Sequence, residues 1–124
     1  MGLNTTHNAF HGSYGGFNRM RQDIAKVWGG SYPPHRDDNL DDKFVYFPEK
    51  IDEQSGMAIF MRHSDCDGEI SPQDCKKVAD ELAKLLPKLE QYIDDTPYST
   101  HAKVSQFIEG CRLAYKLKEP LEFG

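Results

Sequence analysis

The stretch RHSDCDGEISPQDCKKVADEL, from Arg62 to Leu82, decides the fold because it joins a turn rich in oxygen ligands to a strong helix signal. Ser71 can cap that helix, Pro72 suits its first turn, and Asp74 places a carboxylate near its N-terminus. Apolar residues then recur at helical spacing and predict one buried face. This apolar stripe consists of Cys75, Val78, Ala79, Leu82, Leu85, Leu86, Leu89, Tyr92 and Ile93.

The residues ahead of this helix match the twelve-position loop with which EF-hand proteins bind calcium. Gly68 falls at position 6, where the loop turns sharply, and Ile70 at position 8, where a side chain anchors the loop to the core. We call residues 63–74 the His63 loop. Its predicted metal ligands are His63, Asp65, Asp67, the Glu69 carbonyl, Ser71 and Asp74.

Two departures from the calcium pattern leave two interpretations of the His63 loop open. His63 replaces the first carboxylate with a nitrogen ligand, and Asp74 is shorter than the usual bidentate glutamate. The loop is either a weak site for calcium or magnesium or a metal-free turn whose aspartates cap backbone donors. A zinc site from His63, Cys66 and Cys75 is disfavoured, because Cys75 lies on the apolar stripe, where a buried thiol needs no metal.

Helices are also predicted outside this stretch. The apolar spacing of Gly16 to Trp28 predicts a first helix, and the segment DEQSGMAIFMR, residues 52–62, favours a short helix over a strand. Pro87 predicts a kink or break near Leu86. The last helix is expected from Ser99 to Leu117. Its predicted inward residues are Val104, Phe107, Ile108, Cys111, Ala114 and Tyr115.

These elements predict a mainly α fold, in which three to four helices form a single domain over residues 1–124. Trp28 and the apolar stripe are expected at the centre of the core. Residues 31–50 predict a long exposed loop with a short extended piece at Phe44 to Phe47, and EPLEFG predicts an extended tail.

Composition excludes several classes of function. The chain has 124 residues, a net charge of -5, and no apolar run of the roughly 20 residues that a membrane span requires. The negative charge argues against duplex DNA as a partner. Three cysteines without an apolar leader indicate reduced thiols and a cytoplasmic protein. An oligomer is compatible with these features.

The N-terminal segment THNAFHGSYGGFNRMR, Thr6 to Arg21, concentrates histidine, aromatic and arginine side chains around several glycines. Stacking on an aromatic ring, with arginine at a helix start, suits a nucleotide or another small anion. The candidate ligand-binding residues are His7, His11, Tyr14, Asn18, Arg19 and Arg21. The alternative is that the aromatic residues of this segment belong to the core and the rest to a polar surface.

The motifs GLNTTHNAFHGSYGGFNRMR and HSDCDG, with FIEGC in the last helix, resemble a group of small proteins encoded by bacteriophages and prophages. No activity is assigned to that group, so the resemblance implies a setting in an infected or lysogenic bacterial host. The expected function is a non-enzymatic accessory protein that binds a host factor or a small anionic ligand and counters host antiviral defence. The alternatives are a calcium- or magnesium-binding EF-hand-like protein and a metal-dependent hydrolase using His7, His11, His63 and the carboxylates of the His63 loop.

Overall fold

The computed structural model describes residues 2–28, 55–63, 68–92 and 99–124. Within these residues the chain is mainly helical, with four α-helices and minor strands, which confirms the predicted fold class. The predicted loop at 31–50, including Phe44 to Phe47, lies outside the described residues, as do Asp65, Cys66, Asp67 and Ile93.

The four helices are α1 (Tyr14–Trp28), α2 (Gly56–Arg62), α3 (Pro72–Leu85) and α4 (Thr100–Leu117). Helix α1 begins at Tyr14 rather than at the predicted Gly16. The segment that favoured a short helix forms α2. As Pro87 predicts, α3 ends at Leu85 and continues as a 3-10 helix over Leu86–Tyr92.

Serine side chains begin three of these helices, as the N-cap preference of serine predicts. The hydroxyl oxygens accept backbone N–H groups, Ser55 from Ala58 at 3.2 Å, Ser71 from Asp74 at 3.2 Å and Ser99 from Ala102 at 3.1 Å. Each bond satisfies a donor that the first helical turn leaves without a partner. The predicted cap at Ser71 is therefore confirmed.

Four short strands join the two ends of the chain. Strand β1 (Gly2–Asn4) pairs antiparallel with β2 (His11–Ser13), and a 3-10 turn at Thr6–Asn8 lies between them. Strand β3 (Glu69–Ile70) pairs antiparallel with β4 (Leu121–Glu122). A bridge between Thr5 and Phe123 links the two pairs, so the chain's C-terminal residues lie between the N-terminal hairpin and the His63 loop.

Phenylalanine side chains, rather than Trp28, form the centre of the core. The Phe17 ring lies 5.9 Å from Phe60, 6.2 Å from Phe107 and 6.0 Å from Phe123 between ring centroids. Trp28 is only half-buried and packs at the edge of this cluster. The prediction for Trp28 was wrong: Trp28 is the last residue of α1, and it lines a surface pocket with Met57 of α2 and Leu85 of α3.

The buried face of α4 also differs from prediction at one position. Tyr115 is 44% exposed, whereas Val104, Phe107, Ile108, Cys111 and Ala114 are buried as predicted. At about 100° per residue, Tyr115 lies on the same side of α4 as Val104 and Ile108, so helical spacing does not explain its exposure. Tyr115 lies in the last turn, where Lys116 and Leu117 are exposed too, and the buried face of α4 ends at Ala114.

Candidate functional site

The His63 loop begins where α2 ends and returns to the core through β3. Its bend lies at Gly68, which has a φ of +90°, a conformation that glycine adopts at little cost. Ile70 is 2% exposed and anchors the loop to the core. Both features are as the calcium-loop pattern predicts.

His63 itself is turned toward the protein. Its ring packs against Phe123 with a centroid distance of 4.2 Å, and its Nε2 donates to the Glu69 carbonyl at 3.2 Å. The Gly68 carbonyl accepts the Phe123 N–H at 2.9 Å. The predicted ligand at position 1 thus binds the predicted ligand at position 7, and the C-terminal residues close the loop from the other side.

Arg21 lies beneath the start of the His63 loop. Its side chain is only 1% exposed, and its guanidinium donates to the His63 carbonyl at 2.6 Å. The guanidinium carbon lies 4.5 Å from the Phe17 ring centroid and 5.4 Å from that of Phe60. These cation–π contacts and the hydrogen bond offset part of the cost of burying the charge.

The side chains of the other described ligand candidates are either exposed or bonded to groups of the protein. Glu69 is exposed, Ser71 caps α3, and the half-buried Asp74 lies 3.8 Å from the Lys77 ammonium. Among the described residues no three histidine, cysteine or acidic side chains are grouped so as to hold a metal ion. Because Asp65 and Asp67 are outside those residues, calcium or magnesium binding stays a prediction.

The zinc alternative also stays untested, since Cys66 is not among the described residues. Cys75 is fully buried, and its sulfur lies 3.5 Å from the Ile70 carbonyl oxygen. A metal at Cys75 would need a path into the core between α3 and α4.

The two N-terminal histidines lie in the hairpin and have separate partners. His7 lies between the Thr6 hydroxyl and the Glu119 carboxylate, each at 2.9 Å. His11 contacts the side-chain oxygens of Asn4 at 2.9 Å and Asn8 at 2.8 Å. The proposed hydrolase ligands His7, His11 and His63 therefore have no common partner within the described part of the chain, and hydrolase activity stays a prediction.

The other candidate ligand-binding residues of the N-terminal segment differ in their exposure. Asn18 is 7% exposed and accepts a hydrogen bond from Gln22, and Arg21 faces the core as described. Tyr14 is half-buried at the start of α1, while Arg19 is exposed. A ligand outside the fold can therefore reach Arg19 and Tyr14 but not Asn18 or Arg21.

A surface depression of about 620 Å³ lies beside the His63 loop, and of the predicted site residues only Glu69 lines it. It is lined by residues 4–6 near the N-terminus, 68–69 of the His63 loop and 122–124 of the C-terminal residues. We call it the tail depression. The last six residues, predicted only as an extended tail, contain the alternation of Leu121, Glu122 and Phe123, which is the period-two signal of a half-buried strand.

Glu69 and Glu122 are the charged side chains that line the tail depression. They are direct partners in the antiparallel pair of β3 and β4, and both are exposed. Directly opposed residues project from the same face of the sheet with Cβ atoms about 5 Å apart. The tail depression therefore carries two adjacent negative charges.

A separate positive charge lies at the start of α1. A Cβ atom built on Gly16 would be 3.5 Å from the Lys103 ammonium and 3.1 Å from the Ser13 hydroxyl, which accepts the Gly16 N–H at 2.9 Å. Lys103 comes from α4, 87 residues after Gly16 in the chain, so the N-terminal motif alone could not predict it. Backbone N–H groups and an ammonium near a helix start favour an anion.

No family model, curated protein sequence or solved structure matches the chain. None of the helices in the described segments is long and apolar enough to cross a membrane.

Proposed function

We propose that this protein is a non-enzymatic phage or prophage accessory protein that binds a host protein through the tail depression. The partner contributes a basic side chain to the Glu69–Glu122 pair, and binding blocks a component of host antiviral defence in the cytoplasm of the infected or lysogenic cell. The proposal is based on the exposed carboxylates of Glu69 and Glu122, which lie opposite each other on β3 and β4.

The Glu69–Glu122 pair favours a cationic partner because like charges opposite each other on a sheet destabilise it. Neither carboxylate forms an ion pair with a basic side chain in the described segments. A lysine or arginine placed between the two would replace this repulsion with two attractive contacts. The net charge of -5 would also attract a basic partner over longer distances.

The motifs that carry the sequence resemblance also support the tail depression as the binding surface. The motif that begins at Gly2 supplies residues 4–6 of the tail depression, and HSDCDG supplies Gly68. The third motif, FIEGC, contains Gly110, where an added Cβ would lie 2.4 Å from the Cβ of Ala9. The three motifs therefore either line the depression or pack behind it.

Affinity capture from a bacterial host lysate, followed by titration of the purified captured protein, tests the proposal. We expect the double variant Glu69→Gln/Glu122→Gln to weaken binding at least about tenfold, mainly through faster dissociation. Glu90→Gln/Glu109→Gln is the matched control, because both residues are exposed and lie outside the depression. Equal affinity of the wild type and the double variant would refute the proposed surface.

A small anionic ligand such as a nucleotide is the second candidate, and the Lys103 ammonium beside Gly16 favours it. Calorimetric titration with inorganic phosphate and with ATP is expected to show binding that Lys103→Gln abolishes. Lys116→Gln, an exposed lysine at the other end of α4, controls for the lost charge. An absence of heat with both probes, or equal binding by Lys103→Gln, would exclude this candidate.

A further inference from the structure

We propose that the Thr6 hydroxyl is a covalent acceptor site, which takes an acyl group from an activated carboxylic ester with His7 as general base. The reaction is stoichiometric, one acyl group per chain, so it is compatible with a protein that is not an enzyme. The inference goes beyond the proposed function and does not rest on the Glu69–Glu122 pair, although Thr6 lines the same tail depression.

A hydroxyl, an imidazole and a carboxylate form a continuous hydrogen-bonded chain at the 3-10 turn. The His7 Nδ1 lies 2.9 Å from the Thr6 Oγ1, and the His7 Nε2 lies 2.9 Å from a Glu119 carboxylate oxygen. The carboxylate can only accept, so the hydrogen of the neutral ring lies on Nε2, and Nδ1 accepts the Thr6 O–H. A hydroxyl beside a base that a third group orients is the arrangement that activates a nucleophile.

The Thr6 hydroxyl is accessible, whereas its base is protected from solvent. Thr6 is exposed and lines the tail depression, while the His7 side chain is only 10% exposed. The Glu122 N–H donates to the Thr6 Oγ1 at 2.9 Å, which fixes the hydroxyl and leaves its second lone pair for attack. Because Glu69 and Glu122 also line the depression, a neutral or cationic acyl donor is favoured over an anionic one.

The backbone at His7 adopts a conformation that is rare for residues other than glycine. The φ angle is 59° at His7 and 55° at Asn8, so two consecutive residues with side chains lie in the left-handed region. The Gln106 amide donates to the Asn8 carbonyl at 2.8 Å and holds the turn against α4. Such a backbone persists only where surrounding contacts impose it, and it is concentrated at functional sites.

The Thr6 oxygen replaces the leaving group of the ester. Oγ1 attacks the carbonyl carbon while the His7 Nδ1 takes the hydroxyl proton. The tetrahedral adduct then collapses, the bond from carbon to the leaving oxygen breaks with its electron pair, and the leaving group receives the proton from His7. The products are a threonine ester and the free alcohol or phenol.

Two backbone donors that line the tail depression are already bonded. The Phe123 N–H donates to the Gly68 carbonyl and the Gly124 N–H to the Asn4 carbonyl. Neither is free to stabilise the negative oxygen of the adduct, a contribution on which enzymes that turn over esters depend. An activated ester, whose leaving group departs readily, reacts without this help. The threonine ester that forms has a poor leaving group and therefore persists.

The test is incubation with p-nitrophenyl acetate, followed by measurement of nitrophenolate release and by peptide mass mapping. We expect a burst of one equivalent of nitrophenolate and one acetyl group on Thr6. Neutral hydroxylamine should remove that group, because it cleaves esters and leaves acetylated lysine intact. Thr6→Val keeps the shape without the hydroxyl and should abolish the burst. Ser13, an exposed hydroxyl that accepts the Gly16 N–H, should stay unmodified.

The role of His7 as base is tested by His7→Asn, because asparagine tolerates the left-handed backbone and keeps the turn. We expect acylation of Thr6 to be at least about a hundredfold slower, the usual contribution of a general base. His101→Asn is the matched control, since His101 lies at the start of α4 and does not line the tail depression. Its rate of acylation should equal that of the wild type.

Glu119 is a positioning residue, because it acts only through His7. Its side chain is 56% exposed, so Glu119→Ala is expected to fold. Nitrogen NMR should show the hydrogen of the His7 ring on Nε2 in the wild type and a mixture of tautomers in Glu119→Ala, together with slower acylation. Glu109→Ala, at an exposed position of α4, should change neither the tautomer nor the rate.

Four results would overturn the inference. They are an unmodified Thr6 in the wild type, an equal burst from Thr6→Val, an unchanged rate of Thr6 acylation in His7→Asn, and continued release after the first equivalent that Thr6→Val abolishes. The first is measured on the wild type alone, so it decides the question even if a variant does not fold.

Discussion

Burial keeps the thiols of Cys75 and Cys111 from acting as nucleophiles or metal ligands. Both side chains are fully buried, one on α3 and the other on α4. A hydrogen bond to Cys75, together with burial, raises the pKa of the Cys111 thiol far above its ordinary value. The thiolate is the nucleophile and the metal ligand, so a raised pKa makes Cys111 inert. The same hydrogen bond lowers the pKa of the Cys75 thiol, so only burial protects Cys75 from reagents. Both cysteines are parts of the core.

We therefore expect Cys75 and Cys111 to resist alkylation by iodoacetamide in native buffer and to react fully in denaturant. Peptide mass mapping would separate them from Cys66. Leu113→Cys provides the control, because Leu113 is 42% exposed on the same helix as Cys111 and the introduced thiol should react in the native state. Labelling of Cys75 or Cys111 before unfolding would show that α3 and α4 separate readily.

Helices α2 and α3 approach each other closely at Gly56. A Cβ atom on Gly56 would lie 2.2 Å from the carbonyl oxygen of Lys77, which is backbone and cannot rotate away. The Glu81 carboxylate also accepts the Met57 N–H at the start of α2. Glycine at this position is what lets the two helices that flank the His63 loop pack together.

Gly56→Ala should accordingly lower the free energy of unfolding by about 1–3 kcal/mol, the usual cost of overpacking, when measured by urea denaturation. Gly15→Ala is the matched change at the start of α1, where the new Cβ would lie 3.9 Å from the Ser13 hydroxyl. It should be neutral or stabilising by up to about 0.5 kcal/mol, because alanine favours a helix. Equal effects of the two changes would contradict the close approach of α2 and α3.

At the scale of the whole molecule, Phe123 connects parts of the fold that lie far apart in the chain. Its ring contacts Phe17, Phe107 and His63, while its backbone pairs with Thr5 and donates to Gly68. The N-terminal hairpin, the His63 loop and α4 all meet at this one residue. The candidate site therefore depends on the chain's last described strand.

Phe123→Ala is expected to cost about 3–5 kcal/mol of unfolding free energy, as other buried phenylalanine truncations do. That is a large fraction of the 5–15 kcal/mol typical of a small domain, so calorimetry should show a much lower melting temperature. Leu117→Ala, at a side chain that is 51% exposed, should change the stability by less than about 0.5 kcal/mol. A small effect of Phe123→Ala would mean that the C-terminal residues are not part of the cooperative core.

The candidate site was only partly accessible to sequence analysis. The bend at Gly68, the anchor at Ile70 and the cap at Ser71 follow from residues within one short stretch, and the structure confirms all three. The burial of Arg21 and the pairing of Glu69 with Glu122 do not follow from any local pattern. An arginine on a helix is ordinarily solvated, and the alternation of Leu121, Glu122 and Phe123 indicates a strand but not the strand with which it pairs.

The sequence by itself determined the helices and most of their ends, because helical spacing, serine caps and proline act through neighbours a few residues apart. Only the tertiary structure decided which side chains share a surface. It brought the C-terminal residues between the hairpin and the loop, made phenylalanine the centre of the core, and placed Arg21 under His63. These contacts join residues tens of positions apart, and the packing of the complete core, rather than any local preference, fixes them.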